Sequence, residues 1–311
     1  MRPLLLLAPL FIAAAPPAEV PPASPNGASD QTNDLRLGTD TSDRMTVPVR
    51  VGDRGPYRFL VDTGSERTAI SRELALELGL AAGSRVVMQS VVGPSNVSTV
   101  AIPALGVSTR LVAIPNAPIL DEENIGADGL LGVDSLSRQQ VMLDFKNGVM
   151  GISPSRGFLD KSDGDTIVVT AKRRHGRLLF TDATVEGRGV TVVVDTGSQV
   201  SVGNDALRRK LLRGKHYQLS EITTVAGERV EAELVTIGTL QIGGMTLQNV
   251  QIAFLHAAVF RQLELDNRPA LLLGMNVMRS FDRVSIDFST RQVRFVLPKS
   301  AMEPRVILAS R

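Results

Sequence analysis

Residues 59–71 read FLVDTGSERTAIS and residues 192–204 read VVVDTGSQVSVGN. Superposing Asp62 on Asp195, 133 positions apart (195 − 62), aligns an apolar strand-like run, an Asp-Thr-Gly-Ser turn and a hydroxyl residue, Thr68 or Ser201. The alignment extends in both directions. A short helix with a capping residue follows nine positions after each aspartate, at Ser71 and Asn204. A Gly-centred turn between strand-like runs comes next, Val92-Gly93-Pro94 in one half and Ala226-Gly227-Glu228 in the other. An apolar element ending in glycine then recurs, GLLG at 129–132 and LLLG at 271–274, followed by the strands VMLDF at 141–145 and VSIDF at 284–288. One DTGS tetrapeptide arises by chance in roughly one chain in several hundred. Five features in one order and nearly one spacing mark a tandem duplication.

Short Val, Ile and Leu runs punctuated by Gly, Pro and Asn make the body all-β, with one short helix in each half. The first residues have an export layout: Met1-Arg2, an apolar run from Leu4 to about Ala15, then small residues and prolines. That run is too short for a stable membrane span. The expected organisation is a signal peptide at 1–24 and a disordered spacer at 25–40. Lobe one follows at 41–158, a linker at 159–165, lobe two at 166–299 and a tail at 300–311. Such a chain is expected to be periplasmic or secreted.

Composition narrows the function. Thirty-four basic residues balance 32 acidic ones, and aromatics are only 4% of the chain with no tryptophan. Neither a cationic surface for nucleic acid nor a stacking platform for single strands follows from those figures. The absence of cysteine removes disulfides and thiolate metal sites. His175, His216 and His256 are isolated and receive no catalytic role. No metal and no cofactor is expected. The basic run Lys172–Arg177 reads as a solvated loop, with a processing site or an anion patch as the alternatives.

The chemistry rests on Asp62 and Asp195. Each stands at the tip of a tight turn, and across an approximate two-fold axis the two carboxyls would meet and share one proton. The ionised one would take a proton from water while the neutral one polarises a carbonyl. Thr63 and Thr196 would brace the loops through hydroxyl-to-backbone bonds. Gly64 and Gly197 would leave amides free for the carboxylates, with Ser65 and Ser198 completing each turn. Asp128 reads as a turn former, with tuning of the site as the alternative, and Asp144 and Asp287 read as structural.

These residues resemble the retropepsin-like aspartic peptidases, and most closely the bacterial exported type with two such domains in one chain. The resemblance rests on Asp62-Thr63-Gly64-Ser65 with Thr68, on Asp195-Thr196-Gly197-Ser198 with Ser201, and on the glycine-ending elements at Gly132 and Gly274. It implies a bilobal fold with a β-barrel-like domain per half, and an element threaded under each catalytic loop in a ψ shape. It also implies two hairpin flaps (Val92, Gly93, Pro94 and Ala226, Gly227, Glu228), a monomer, and endopeptidase action on an extended polypeptide. Two other readings stand beside it: a non-catalytic peptide-binding module, and a peptidase restricted to processing itself.

Overall fold

Strand Thr46–Val51 buries Val47, Val49 and Val51 and exposes Pro48 and Arg50, the period-two signature of a sheet with one dry face. It opens a closed barrel formed by the strands Gly129–Leu131, Arg54–Val61, Thr46–Val51, Thr99–Val107, Arg110–Leu120 and Ala69–Ser71, in that order around the wall. The computed structural model describes residues 10–11, 35–36, 45–89, 94–157, 166–212, 216–224 and 226–298. The expected linker and tail lie outside them, as do the leader and spacer apart from Leu10–Phe11 and Leu35–Arg36.

The second half repeats the same neighbours. Thr191–Val194 runs parallel to Ala270–Leu273, which runs antiparallel to Ser201–Gly203, just as Arg54–Val61, Gly129–Leu131 and Ala69–Ser71 do in the first. Here they belong to an eleven-stranded sheet. The three residues before each aspartate, 59–61 and 192–194, are buried on both faces, so each reads as an unbroken apolar run. Phe59 and Val61 join the main core while Leu60 joins a smaller cluster, and Val192 and Val194 part from Val193 in the same way.

The two halves are joined by a third sheet drawn from both. Its order is Thr166–Thr170, Gln292–Val296, Arg283–Asp287, Gln139–Asp144, Val149–Pro154 and Leu35–Arg36. The duplicated strands around Val141 and Val284 lie side by side at its centre, with Val141 opposite Ile286 and Leu143 opposite Val284. Asp144 accepts from Arg283 Nη2 at 2.8 Å across this seam and from the Asn147 amide at 2.9 Å. Asp287 accepts from Ser155 Oγ and from the amides of Ser289 and Thr290. Their structural reading holds.

The two expected helices are Arg72–Glu77 and Asp205–Leu211, capped by Ser71 Oγ to Leu74 N and by Asn204 Oδ1 to Leu207 N. Among the described residues each half also has two shorter helices: Glu122–Ile125 and Val133–Leu136 in the first, Ala258–Gln262 and Met275–Met278 in the second. One helix per half was expected. Segments of four or five residues are too short to show a 3.6-residue period. Among the described residues no helix is long and apolar enough to cross a membrane.

Candidate active site

Each aspartate sits where its strand ends, held by the strand running parallel to it: Asp62 N donates to Leu131 O at 3.0 Å and Asp195 N to Leu273 O at 3.1 Å. Gly132 and Gly274 continue those strands under the loops. Their φ values are ordinary (−87° for both), so close approach is what demands glycine. A methyl group on Gly132 would lie 2.4 Å from the carbonyl carbon of Arg67, and one on Gly274 2.7 Å from that of Val200. The tight crossing is pinned by Thr68 Oγ1, which accepts from Gly132 N and donates to Asp134 Oδ1 at 2.7 Å. Ser201 Oγ repeats this with Gly274 N and Asn276 Oδ1 at 2.9 Å. Asp134 and Asn276 were not singled out from the sequence. The available signal is that each stands two residues after the repeated glycine.

The two loops interlock. Thr63 N donates to Thr196 Oγ1 and Thr196 N to Thr63 Oγ1, both at 3.1 Å. Each hydroxyl in turn donates to a carbonyl of the opposite strand, Thr63 to Val194 O at 2.9 Å and Thr196 to Val61 O at 2.7 Å. A carboxyl from each half is thereby brought against the other half's glycine. A methyl group on Gly64 would fall 2.5 Å from Asp195 Oδ1, and one on Gly197 would fall 2.5 Å from Asp62 Cγ. Asp62 Oδ1 accepts from Gly64 N and Ser65 N at 2.9 Å, and Asp195 Oδ1 accepts from Gly197 N at 3.0 Å. The hydroxyls of Ser65 and Ser198 turn away to Arg67 O and Val200 O.

Both carboxyls are buried, at 1% and 3% exposure. Burial pushes Asp195 up to about 6 against the pull of the Gly197 amide and Arg177. Asp62 rises well above the carboxylate range, through burial first and then the charge of Asp195. Asp62 Oδ2 has no hydrogen-bond partner among the described residues.

Of the two expected flaps, the second is a hairpin of Gln218–Thr224 and Arg229–Ile242, closed by Thr224 N to Glu228 O at 2.8 Å and Gly227 N to Thr224 O at 2.9 Å. Its tip crosses to the first lobe. Ala226 packs on the cluster containing Leu60, Met88, Ile125 and Leu130, and a methyl on Gly227 would strike Asn124. The first expected flap falls at the small hairpin Val86–Gln89 with Pro94–Val97, where Pro94 opposes Gln89. Val92 and Gly93 lie outside the described residues.

The reading of Lys172–Arg177 as a solvated loop is corrected. Lys172–Arg174 pairs with Arg177–Phe180, and the hairpin turns on His175 and Gly176, both at positive φ (47° and 81°). Lys172 and Arg173 are exposed, but Arg177 is wholly buried between the halves. Its Nε donates to Gly64 O at 2.6 Å and its Nη1 to Glu66 Oε1 at 2.9 Å. Asp128, read as a turn former, accepts from Arg58 N at 2.6 Å.

The sequence profile of the aspartyl protease family matches residues 47–135 and again residues 181–277, one match in each lobe. The chain belongs to that family. Among solved structures it is similar to a retropepsin-like aspartic protease from Rickettsia conorii, with 22% identity over 42% of this chain and 89% of that one and a TM-score of 0.32. No curated protein matches it.

Proposed function

We propose that the chain is an aspartic endopeptidase in which Asp62 and Asp195 act as one unit on a polypeptide laid between the lobes. The observation that carries this reading is reciprocal: each carboxyl is seated against the glycine of the opposite DTGS loop and bonded by the amides of its own. Two buried acids so placed cannot both ionise cheaply, and burial pushes both upward, so the pair keeps a proton to higher pH than two free carboxyls would. The ionised member takes a proton from water as the oxygen attacks the scissile carbonyl carbon. The protonated member gives its proton to the carbonyl oxygen. Collapse of the resulting diol breaks the C–N bond, with a proton delivered to the leaving amine. The hairpin tips would lie over the substrate strand, which bonds mainly through its backbone.

We further propose a monomer, since one chain supplies both aspartates, and an exported protein whose leader is removed. The test is digestion of a peptide library by wild type, Asp62→Asn and Asp195→Asn. Either substitution alone should reduce cleavage by at least about a hundredfold while the far-ultraviolet circular dichroism is retained, and a statine-type inhibitor should stop the wild type. Cleavage at the wild-type rate by either variant refutes the shared-pair mechanism. A chain that binds the peptides and cuts none is the non-catalytic module instead.

A peptidase restricted to processing itself is excluded if N-terminal sequencing finds identical termini in the wild type and in Asp62→Asn.

A further inference from the structure

Arg177 is an arginine with no exposed surface; among the described residues its only charged hydrogen-bond partner is Glu66 and its Nη2 has no partner. Burying a guanidinium is costly unless its surroundings compensate. An orphan donor makes the cost larger. Its remaining bond shows where the charge is applied. The Gly64 carbonyl that accepts from Arg177 Nε belongs to the same peptide group as the Ser65 N–H, and that N–H donates to Asp62 Oδ1 at 2.9 Å. The line runs from cation to carbonyl, through the peptide, to amide and carboxylate. A cation on the carbonyl polarises the peptide and strengthens its N–H as a donor.

We propose that Arg177, supplied by the second lobe, is a positioning residue for the reaction of the first: it grips the Gly64–Ser65 peptide and thereby fixes and charges the donor that holds Asp62. Glu66 is its counter-charge and sets how much of that charge is felt. The groups facing it are Glu66, Asp62 and Asp195, with His175 Nδ1 standing 3.8 Å from Glu66 Oε1. The arrangement is one-sided. Position 199, four after Asp195, is a glutamine where position 66, four after Asp62, is a glutamate. The two aspartates are therefore inequivalent even though their loops are nearly alike.

The inference rests on the peptidase reading, and its test separates the two. Wild type, Arg177→Met, Arg177→Lys and Glu66→Gln are compared by the pH profile of kcat/KM on one peptide substrate. The aspartate carboxyls are also titrated by carbon-13 NMR. Loss of the cation should move both limbs of the profile and the carboxyl midpoints upward, by about one pH unit or more. Glu66→Gln leaves the cation uncompensated and should move them downward. Arg177→Lys keeps the charge without the planar fork, so the limbs stay near wild type while kcat falls about tenfold. A merely structural role lowers stability and leaves the limbs where they were. Unmoved limbs, or shifts of the same sign in Arg177→Met and Glu66→Gln, overturn the proposal. Should Arg177→Met not fold, an unmoved or upward shift in Glu66→Gln does so alone. A wild type that hydrolyses nothing refutes the peptidase, while the carboxyl titration still tests Arg177.

Discussion

Replacing Asp195 with asparagine should make the protein more stable at neutral pH while destroying its activity. The side chain is 3% exposed and its folded pKa lies near 6 against an ordinary 3.8. At 1.36 kcal/mol per unit, that shift of about two units is worth about 3 kcal/mol. The sign follows from proton binding. Between pH 3.8 and 6 the folded chain holds a proton at this site that the unfolded chain has lost. Stability is therefore complete with respect to this group below pH 4, declines as pH rises, and carries the whole penalty above about pH 6. Asparagine keeps the shape and the acceptor for Gly197 N but cannot ionise. The variant should match the wild type near pH 3.5, apart from a constant offset, and exceed it by about 3 kcal/mol at pH 7. Urea unfolding at a series of pH values measures this, followed by far-ultraviolet circular dichroism because the chain has no tryptophan. Contributions from acids other than Asp62 cancel in the difference; Asp62, which the Asp195 charge also pushes up, is relieved in the variant and adds in the same direction. A difference that does not change with pH, or that favours the wild type as pH rises, refutes the account of a strained buried pair.

Gly197→Ala should be destabilised by about 1–3 kcal/mol through overpacking against Asp62, and should lose about a hundredfold in kcat because the carboxyl moves; thermal unfolding and steady-state assays check both. Thr63→Val removes the hydroxyl that donates to Val194 O and accepts from Thr196 N. Two buried backbone groups are orphaned, at about 1–3 kcal/mol each, and Thr63→Ser should restore most of the loss in urea unfolding. Asp144→Ala, which breaks the seam to Arg283 and the Asn147 turn, should cost about 1–3 kcal/mol and leave kcat/KM within about a factor of two, as befits a structural acid.

The duplicated motif was legible because it is local. An apolar run ending in Asp-Thr-Gly-Ser specifies a buried strand and a tight turn wherever it occurs, and Ser71 and Asn204 cap their helices by contacts three residues away. Gly132 and Gly274 stood out by their register alone, although the reason for glycine, the passage of 67–68 and 200–201, is tertiary. Arg177 was missed for the complementary reason. Inside a run of charges it has the composition of a solvated loop, and only the fold brings it to Glu66, 111 positions earlier. The contrast of Glu66 with Gln199 is visible in the aligned repeats, but it has no meaning until that arginine arrives. Likewise nothing near Ala226 announces that the hairpin tip will rest on Met88 and Ile125 of the other lobe. The order of strands in the shared sheet is equally non-local.

A shared-pair peptidase needs Asp62 and Asp195 at one reacting centre. A crystal structure of the chain with a statine-containing peptide tests this most directly. The prediction is one inhibitor per chain, its hydroxyl within about 3 Å of a carboxylate oxygen from each aspartate. A hydroxyl held by one aspartate alone, or a peptide bound away from both DTGS loops, would contradict it.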